Sequence, residues 1–114
     1  MPPEDRVRLL HMLEALETAQ RFVAGRTRAD LDTDEMLRLA LTRTIEIAGE
    51  AAARTGPRTQ ERHPQIPWRI LAGMRNRLVH AYFDVNKNIV WTTAVRDVPE
   101  LLAQIRNILE QDPE

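Results

Sequence analysis

Apolar residues return every three or four positions through the first part of the chain, which is the period of an amphipathic helix. Between Asp5 and Ala24 they form one stripe: Leu9, Leu13, Leu16, Ala19 and Val23. Gly25 follows, and glycine is the usual residue just beyond the end of a helix. No segment alternates apolar and polar residues with a sustained period of two, so the pattern predicts an all-α protein.

A second helix is predicted to open at Asp32 and to end at Gly56-Pro57. Asp32 and Glu35 have the spacing of a capping box, in which each side chain accepts from a backbone N–H of the first turn. The expected buried stripe is Leu37, Leu41, Thr44, Ala48 and Ala51. Gly49 and the alanines at 51–53 have little bulk, so another helix could approach this end closely.

Residues 57–66 hold two prolines and no apolar period, which predicts a connection with room for a single helical turn. Pro67 suits the first turn of a third helix because its missing N–H has no intrahelical partner there. This helix is predicted to run to about Tyr82. Its stripe contains an arginine among apolar residues: Trp68, Leu71, Arg75, Leu78 and Tyr82.

Residues 84–88 are polar and predict a turn, after which a fourth helix runs through 89–98. Pro99 should kink or divide it. Asp97 and Glu100 have capping-box spacing, and the apolar residues of 101–109 form a last amphipathic segment. The sequence therefore predicts one domain over 1–114, an antiparallel bundle of four main helices with the last one broken.

Charge adds a local feature to this picture. The chain has 16 basic and 17 acidic residues, so no overall field favours nucleic acid. Residues 54–80, however, carry six arginines against one glutamate, with His63 and His80 nearby. These arginines could hold an RNA backbone or a nucleotide, or they could be surface residues paired with the acidic second helix. Trp68 and Trp91 lie on apolar stripes and are expected to be core anchors rather than base-stacking platforms.

Several classes of site find no support in the sequence. There is no cysteine, which excludes disulfides, thiolate zinc sites and cysteine nucleophiles. His11 and His63 lack partners at metal-ligand spacing, so no metal site is expected. No cofactor is expected either, since there is no glycine-rich phosphate loop. The first residues do not form a signal peptide and no apolar run would span a bilayer, which predicts a cytoplasmic protein without a membrane segment.

The residues best suited to chemistry lie at the end of the predicted third helix: Arg75, Asn76, His80 and Tyr82. Arginine is a fixed cation for a phosphate, and histidine exchanges a proton near neutral pH. Together they suit phosphodiester cleavage without a metal. On an ideal helix Arg75 and Tyr82 lie about 20° apart in azimuth, whereas Arg75 and His80 diverge by about 140°. A two-fold dimer would bring both residue types together, so a dimer is predicted. Glu46 and Glu50 could be a wall of the site or solvated partners of the arginines.

The residues 75–82 fit the pattern R-x4-H-x-Y, and their setting is specific: IEIAGEAA at 45–52, IPW at 66–68 and AGMRNRLVHAYF at 72–83. With these stretches the chain resembles the HepT-like toxins of the HEPN superfamily over about residues 5–110. The resemblance implies a helical dimer that cleaves RNA without a metal in a shared cleft. It also implies a nucleotidyltransferase antitoxin that can transfer AMP to the motif tyrosine.

Carried over residue by residue, the resemblance gives each motif position a role. Arg75 would bind and polarise the scissile phosphate, Asn76 would orient the phosphate or the histidine, and His80 would be the acid and base. Tyr82 would be the adenylylation site. A second hypothesis from another class remains open: a non-catalytic helical module that binds a nucleotidyltransferase or a nucleotide and is itself modified.

Overall fold

The computed structural model describes residues 1–81 and 84–112, without the side chains of His80 and Ala81. Within this part the chain is mainly helical, as predicted. Its helices are α1 (Pro3–Val23), α2 (Asp30–Thr33), α3 (Glu35–Ala53), α4 (Pro57–Arg62), α5 (Trp68–Ala72), α6 (Met74–Leu78), α7 (Lys87–Thr92) and α8 (Val98–Gln111), with a π-helical turn at Thr93–Asp97. Two short strands, β1 (Val79–Ala81) and β2 (Asp84–Val85), pair in antiparallel fashion.

The first helix is the centre of the packing. It contacts α3 along one side and α8 along another, while α3 also packs against α5 and α6. The buried apolar side chains of the described residues form one cluster. Leu9, Leu16 and Ala19 of the predicted stripe are buried, whereas Leu13 and Val23 pack only at its edge. Gly25 has a φ of 72°, so the predicted glycine after α1 is confirmed.

The start of the second long helix was predicted wrongly. Asp34 caps α3, because its backbone is extended and its carboxylate accepts from the Leu37 N–H at 3.0 Å. Asp32 lies within the separate short helix α2. Its carboxylate accepts from Arg28 at 3.1 Å and pairs with Lys87 at 3.2 Å, and these partners lower its pKa. Glu35 pairs with Arg38 instead of completing a capping box.

The close approach at the end of α3 is confirmed at Gly49. A Cβ built on Gly49 would overlap the backbone carbonyl oxygen of Leu71 in α5. Because glycine has no side chain, the two backbones can meet there. This contact fixes the position of α5, which leads directly into the motif segment.

The predicted third helix is also wrong in its extent. It is divided at Gly73 into α5 and α6, and the chain leaves the helical conformation after Leu78. Val79–Ala81 is extended as β1, and the Asn86 N–H donates to the Leu78 carbonyl at 2.7 Å. The predicted turn at 84–88 instead supplies β2 and the side-chain cap of α7, where Asn86 accepts from Ile89.

The break in the last helix is confirmed, but not by the predicted capping box. Asp97 has helical dihedral angles and makes no side-chain cap, and an N-cap residue must lie outside the helical region. The break takes the form of the π-helical turn, in which the Val98 N–H donates to Thr93. Pro99 follows Val98 and has no backbone N–H to donate, so the regular series of helical hydrogen bonds is interrupted here.

Candidate functional site

Arg75 occupies the second position of α6 and is 80% exposed. Its Nε lies 3.7 Å from Oε2 of Glu46 on α3, a carboxylate that is only 12% exposed. This distance is an ion pair rather than a hydrogen bond. Arginine has five N–H donors, so the contact through Nε leaves donors for a phosphate. The structure thus places an exposed guanidinium at the motif, and this guanidinium forms an ion pair with the partly buried carboxylate of Glu46.

Asn76 and Arg77 follow on the same short helix and are both exposed. The Asn76 backbone N–H donates to the carbonyl of Gly73 at 3.1 Å. Arg77 borders a cavity of about 280 Å³ that α5, α6 and the region from Thr93 to Gln104 enclose. Adjacent motif residues therefore face different parts of the molecule, with Arg75 turned towards α3.

The side chain of His80 and the whole of Tyr82 lie outside the described residues, so their predicted places in the site stay predictions. The azimuths of 20° and 140° assumed one straight helix to Tyr82, but the helix ends at Leu78. Asn76 and His80 are therefore not neighbours at i and i+4 of one helix. The helical geometry therefore no longer supports a dimer or a shared face for Arg75 and Tyr82.

The arginines of 54–80 are all exposed. The expectation that they pair with the second long helix holds for Arg75 alone: in the part of the chain that the structure describes, no carboxylate oxygen lies within 4.0 Å of the other five. Glu50, the second acid whose role was open, is bonded to Arg43 at 3.0 Å on its own helix. Glu46 therefore faces the motif, and Glu50 does not.

The tryptophans and His63 near the motif segment take part in packing or lie beside the core. Trp68 is 7% exposed, and its Nε1 donates to the carbonyl of His63 at 2.9 Å, which confirms it as a core anchor. Trp91 packs at the edge of the core. Burial lowers the pKa of the His63 imidazole, and the neighbouring Arg62 acts in the same direction.

Two features escaped the sequence analysis. The contact of Glu46 with Arg75 joins residues far apart in the chain, so only the fold could assign it. A small cleft between α1 and α3 brings Arg8, His11 and Arg54 together, although Arg54 lies far from the other two in the chain. Among the described residues, no three His, Asp or Glu side chains group as metal ligands. Within the same part of the chain, no helix is both long and apolar enough to cross a bilayer.

Comparison with known proteins supports the family resemblance that the motif indicates. A family model described as "Ribonuclease HepT-like" matches residues 12–108. The chain is 38% identical over 104 residues to "Putative RNase TTE0752" of Caldanaerobacter subterraneus, covering 91% of this chain and 93% of that protein. It is 35% identical over 95 residues to "Probable ribonuclease HepT" of Thermococcus cleftensis, covering 83% and 86%. No solved structure matches it. The chain belongs to the HepT-like ribonuclease family.

Proposed function

We propose that this protein is an endoribonuclease toxin that cleaves cytoplasmic RNA without a metal ion. The observation that carries the proposal is Arg75, an 80% exposed guanidinium inside the family motif, paired with Glu46. An exposed cation beside a partly buried acid is suited to meet a phosphate, since the guanidinium fork binds phosphate oxygens in pairs. Two named RNases among the relatives support RNA as the substrate class.

In the proposed reaction the RNA supplies its own nucleophile. His80 takes the proton of the 2′-hydroxyl, whose oxygen attacks the adjacent phosphorus atom. Arg75 stabilises the charge that grows on the phosphate oxygens, and Asn76 orients the phosphate or the imidazole. The bond from phosphorus to the 5′-oxygen breaks, and that oxygen takes up the proton that the His80 imidazole removed from the 2′-hydroxyl. The products are a 2′,3′-cyclic phosphate end and a 5′-hydroxyl end.

The proposal includes an assembly and a regulator. A homodimer would bring two copies of Arg75 and His80 to one cleft, and a nucleotidyltransferase antitoxin would transfer AMP from ATP to Tyr82. An AMP on Tyr82 adds an anionic phosphate next to a motif that binds phosphates, so it would compete with RNA. These elements come from the family and from the motif residues, and each needs its own measurement.

Cleavage is tested with purified protein and single-stranded RNA in the presence of EDTA. Wild type should produce cyclic phosphate ends. His80→Ala should lose roughly 10²- to 10⁴-fold in rate, the contribution of a positioned acid or base, and Arg75→Ala should lose roughly 10²- to 10³-fold, the contribution of one donor to the developing charge. Melting curves of both variants should stay close to wild type. Equal activity in wild type and His80→Ala would favour the non-catalytic module instead.

Regulation is tested with the partner nucleotidyltransferase and ATP. Wild type should gain the mass of AMP and lose ribonuclease activity, whereas Tyr82→Phe should gain no mass and stay active. The substitution keeps the ring and removes the acceptor oxygen. An AMP adduct on the Phe variant would place the acceptor at another residue.

A further inference from the structure

A small cleft separate from the Arg75–Glu46 pair lies between the first and third helices. Its volume is about 120 Å³. Two side chains of α1, three residues of α3 and the C-cap of α3 line it: Arg8, His11, Ile47, Glu50, Ala51 and Arg54. The proposed cleavage step uses none of these residues, so the cleft calls for a role of its own.

Arg8 gives the first indication of a ligand. Its Nε is buried and has no hydrogen-bond acceptor among the described residues. Buried polar groups in proteins are nearly always hydrogen-bonded. Arg8 lines the cleft, so an acceptor bound there is the partner that the described residues do not supply to this N–H group.

The charges of the cleft indicate the kind of acceptor. Arg54 is exposed, and no carboxylate of the described residues lies within 4.0 Å of it. Within the described part of the chain, Glu50 is the only acid lining the cleft, and Arg43 already binds it at 3.0 Å. Two arginines thus share the cleft, and its one described acid is already paired. Their planar guanidinium groups match the oxygen atoms of a phosphate.

The position of the cleft relates it to the motif. Glu46, Glu50 and Arg54 follow one another at steps of four residues along α3 and its C-cap, so they lie near one face of the helix. The distance from Glu46 to Arg54 along the axis is about 12 Å at 1.5 Å per residue. An RNA strand that ran from Arg75 along α3 towards Arg54 would therefore reach the cleft after a short extended stretch.

The geometry points to a second phosphate site, in which Arg8 and Arg54 together hold one backbone phosphate of the RNA strand away from the scissile bond. This inference rests on the proposed function, because it takes the strand at Arg75 to be RNA. The size of the cleft fits one phosphate group rather than a peptide or a helix. A backbone phosphate carries no sequence information, so the site adds affinity without reading sequence.

The test measures binding apart from cleavage. The probe is a 2′-O-methylated single-stranded oligonucleotide, which lacks the nucleophile and stays intact. Fluorescence anisotropy measures its affinity across a range of salt concentrations. The proteins compared are wild type, Arg8→Gln, Arg54→Gln and the double variant. One lost phosphate contact on a single strand lowers the slope of log K against log salt by roughly 0.7. We expect that loss in each single variant and no larger loss in the double variant.

Controls keep the outcomes distinct. Arg96→Gln removes an exposed arginine of the π-helical turn and should leave the slope unchanged. Arg54 is exposed, so its variant keeps the test valid if Arg8→Gln does not fold. Unchanged slopes in both single variants, or a doubled loss in the double variant, would overturn the shared site.

Two further measurements distinguish a site for an RNA phosphate from a site for free phosphate and from the ribonuclease activity itself. Inorganic phosphate is tested as a competitor of the oligonucleotide for binding to wild type. If phosphate binds as tightly as the oligonucleotide does, the cleft is a site for free phosphate and the RNA assignment is wrong. Cleavage of unmodified RNA by wild type is measured separately with EDTA. If wild type cleaves RNA but the salt slopes of the arginine variants are unchanged, only the second phosphate site is wrong. If the slopes fall but wild type does not cleave RNA, only the ribonuclease activity is wrong.

Discussion

The two partners of the Arg75–Glu46 pair belong to regions that are built differently. Glu46 is part of α3, a helix of 19 residues with nine buried positions. Arg75 is part of α6, which has five residues, two of them buried, between Gly73 and β1. Long packed helices hold their backbone firmly, while short segments with few buried contacts open more easily. We therefore expect the long packed helices, called the scaffold below, to provide most of the stability. The short segment around α6, called the exposed segment, is expected to provide the residues for chemistry.

The glycines of the two regions offer the sharpest test of this difference. A Cβ on Gly49 in α3 would overlap the Leu71 carbonyl oxygen, a backbone atom that cannot turn away. Gly49→Ala should therefore destabilise the protein by about 1–3 kcal/mol, the usual cost of overpacking. A Cβ on Gly73 would lie 3.4 Å from the nearest atom, the Arg69 carbonyl oxygen. Gly73→Ala should change the free energy of unfolding by well under about 1 kcal/mol.

Urea unfolding of both glycine variants checks this prediction. If Gly73→Ala proved as costly as Gly49→Ala, the exposed segment would be as tightly packed as the scaffold. The comparison between the two regions would then fail.

Asp5 provides a second test within the scaffold. Its carboxylate is 7% exposed and accepts from the Gly56 N–H at 2.9 Å and from the Thr59 hydroxyl at 2.5 Å. Asp5→Ala leaves both donors without this acceptor, which should cost about 1–3 kcal/mol. Glu4→Ala, on the exposed side of the same turn, should change stability by less than about 0.5 kcal/mol. Thermal melting of the pair measures the difference, and equal melting temperatures would show that Asp5 does not join α1 to α4.

The same difference explains which elements could be predicted from the sequence. Helices α1 and α3 bury long stripes, and those stripes were visible as periodic apolar residues. Gly49 indicated the close approach of another helix because a glycine lowers helix propensity and leaves room for a second backbone. In the motif segment, by contrast, Leu78 continues the helical period while the chain turns into β1. That strand depends on pairing with Asp84–Val85, a contact that no local pattern encodes.

The candidate site shows the same limit. Arg75 and Asn76 were identifiable because they belong to a short motif, and the structure places both at an exposed helix end. The partner of Arg75 was not identifiable, since Glu46 and Glu50 look equivalent at i and i+4. Only the packing of α6 against α3 separates them.

That separation gives the last and smallest prediction. Glu46→Gln removes the carboxylate charge beside Arg75 and keeps nearly the same shape. Stability should change by less than about 1 kcal/mol, because the Arg75 side of the pair is 80% exposed and solvent screens the interaction. If the carboxylate positions Arg75 for the scissile phosphate, kcat should fall by up to about fivefold, which corresponds to the same free energy. KM should change little, because Arg75 remains available to bind phosphate.

Glu35→Gln is the matched control, since Glu35 lies on the same helix and pairs with Arg38 at 3.7 Å, the same distance as in the Arg75–Glu46 pair. It should leave kcat unchanged while removing an ion pair of the same kind. A purely structural role of Glu46 would lower the melting temperature without altering kcat per folded molecule. An equal fall of kcat in both variants would show that acidic charge on α3 matters in general, and the assignment of Glu46 as the positioning residue would be wrong.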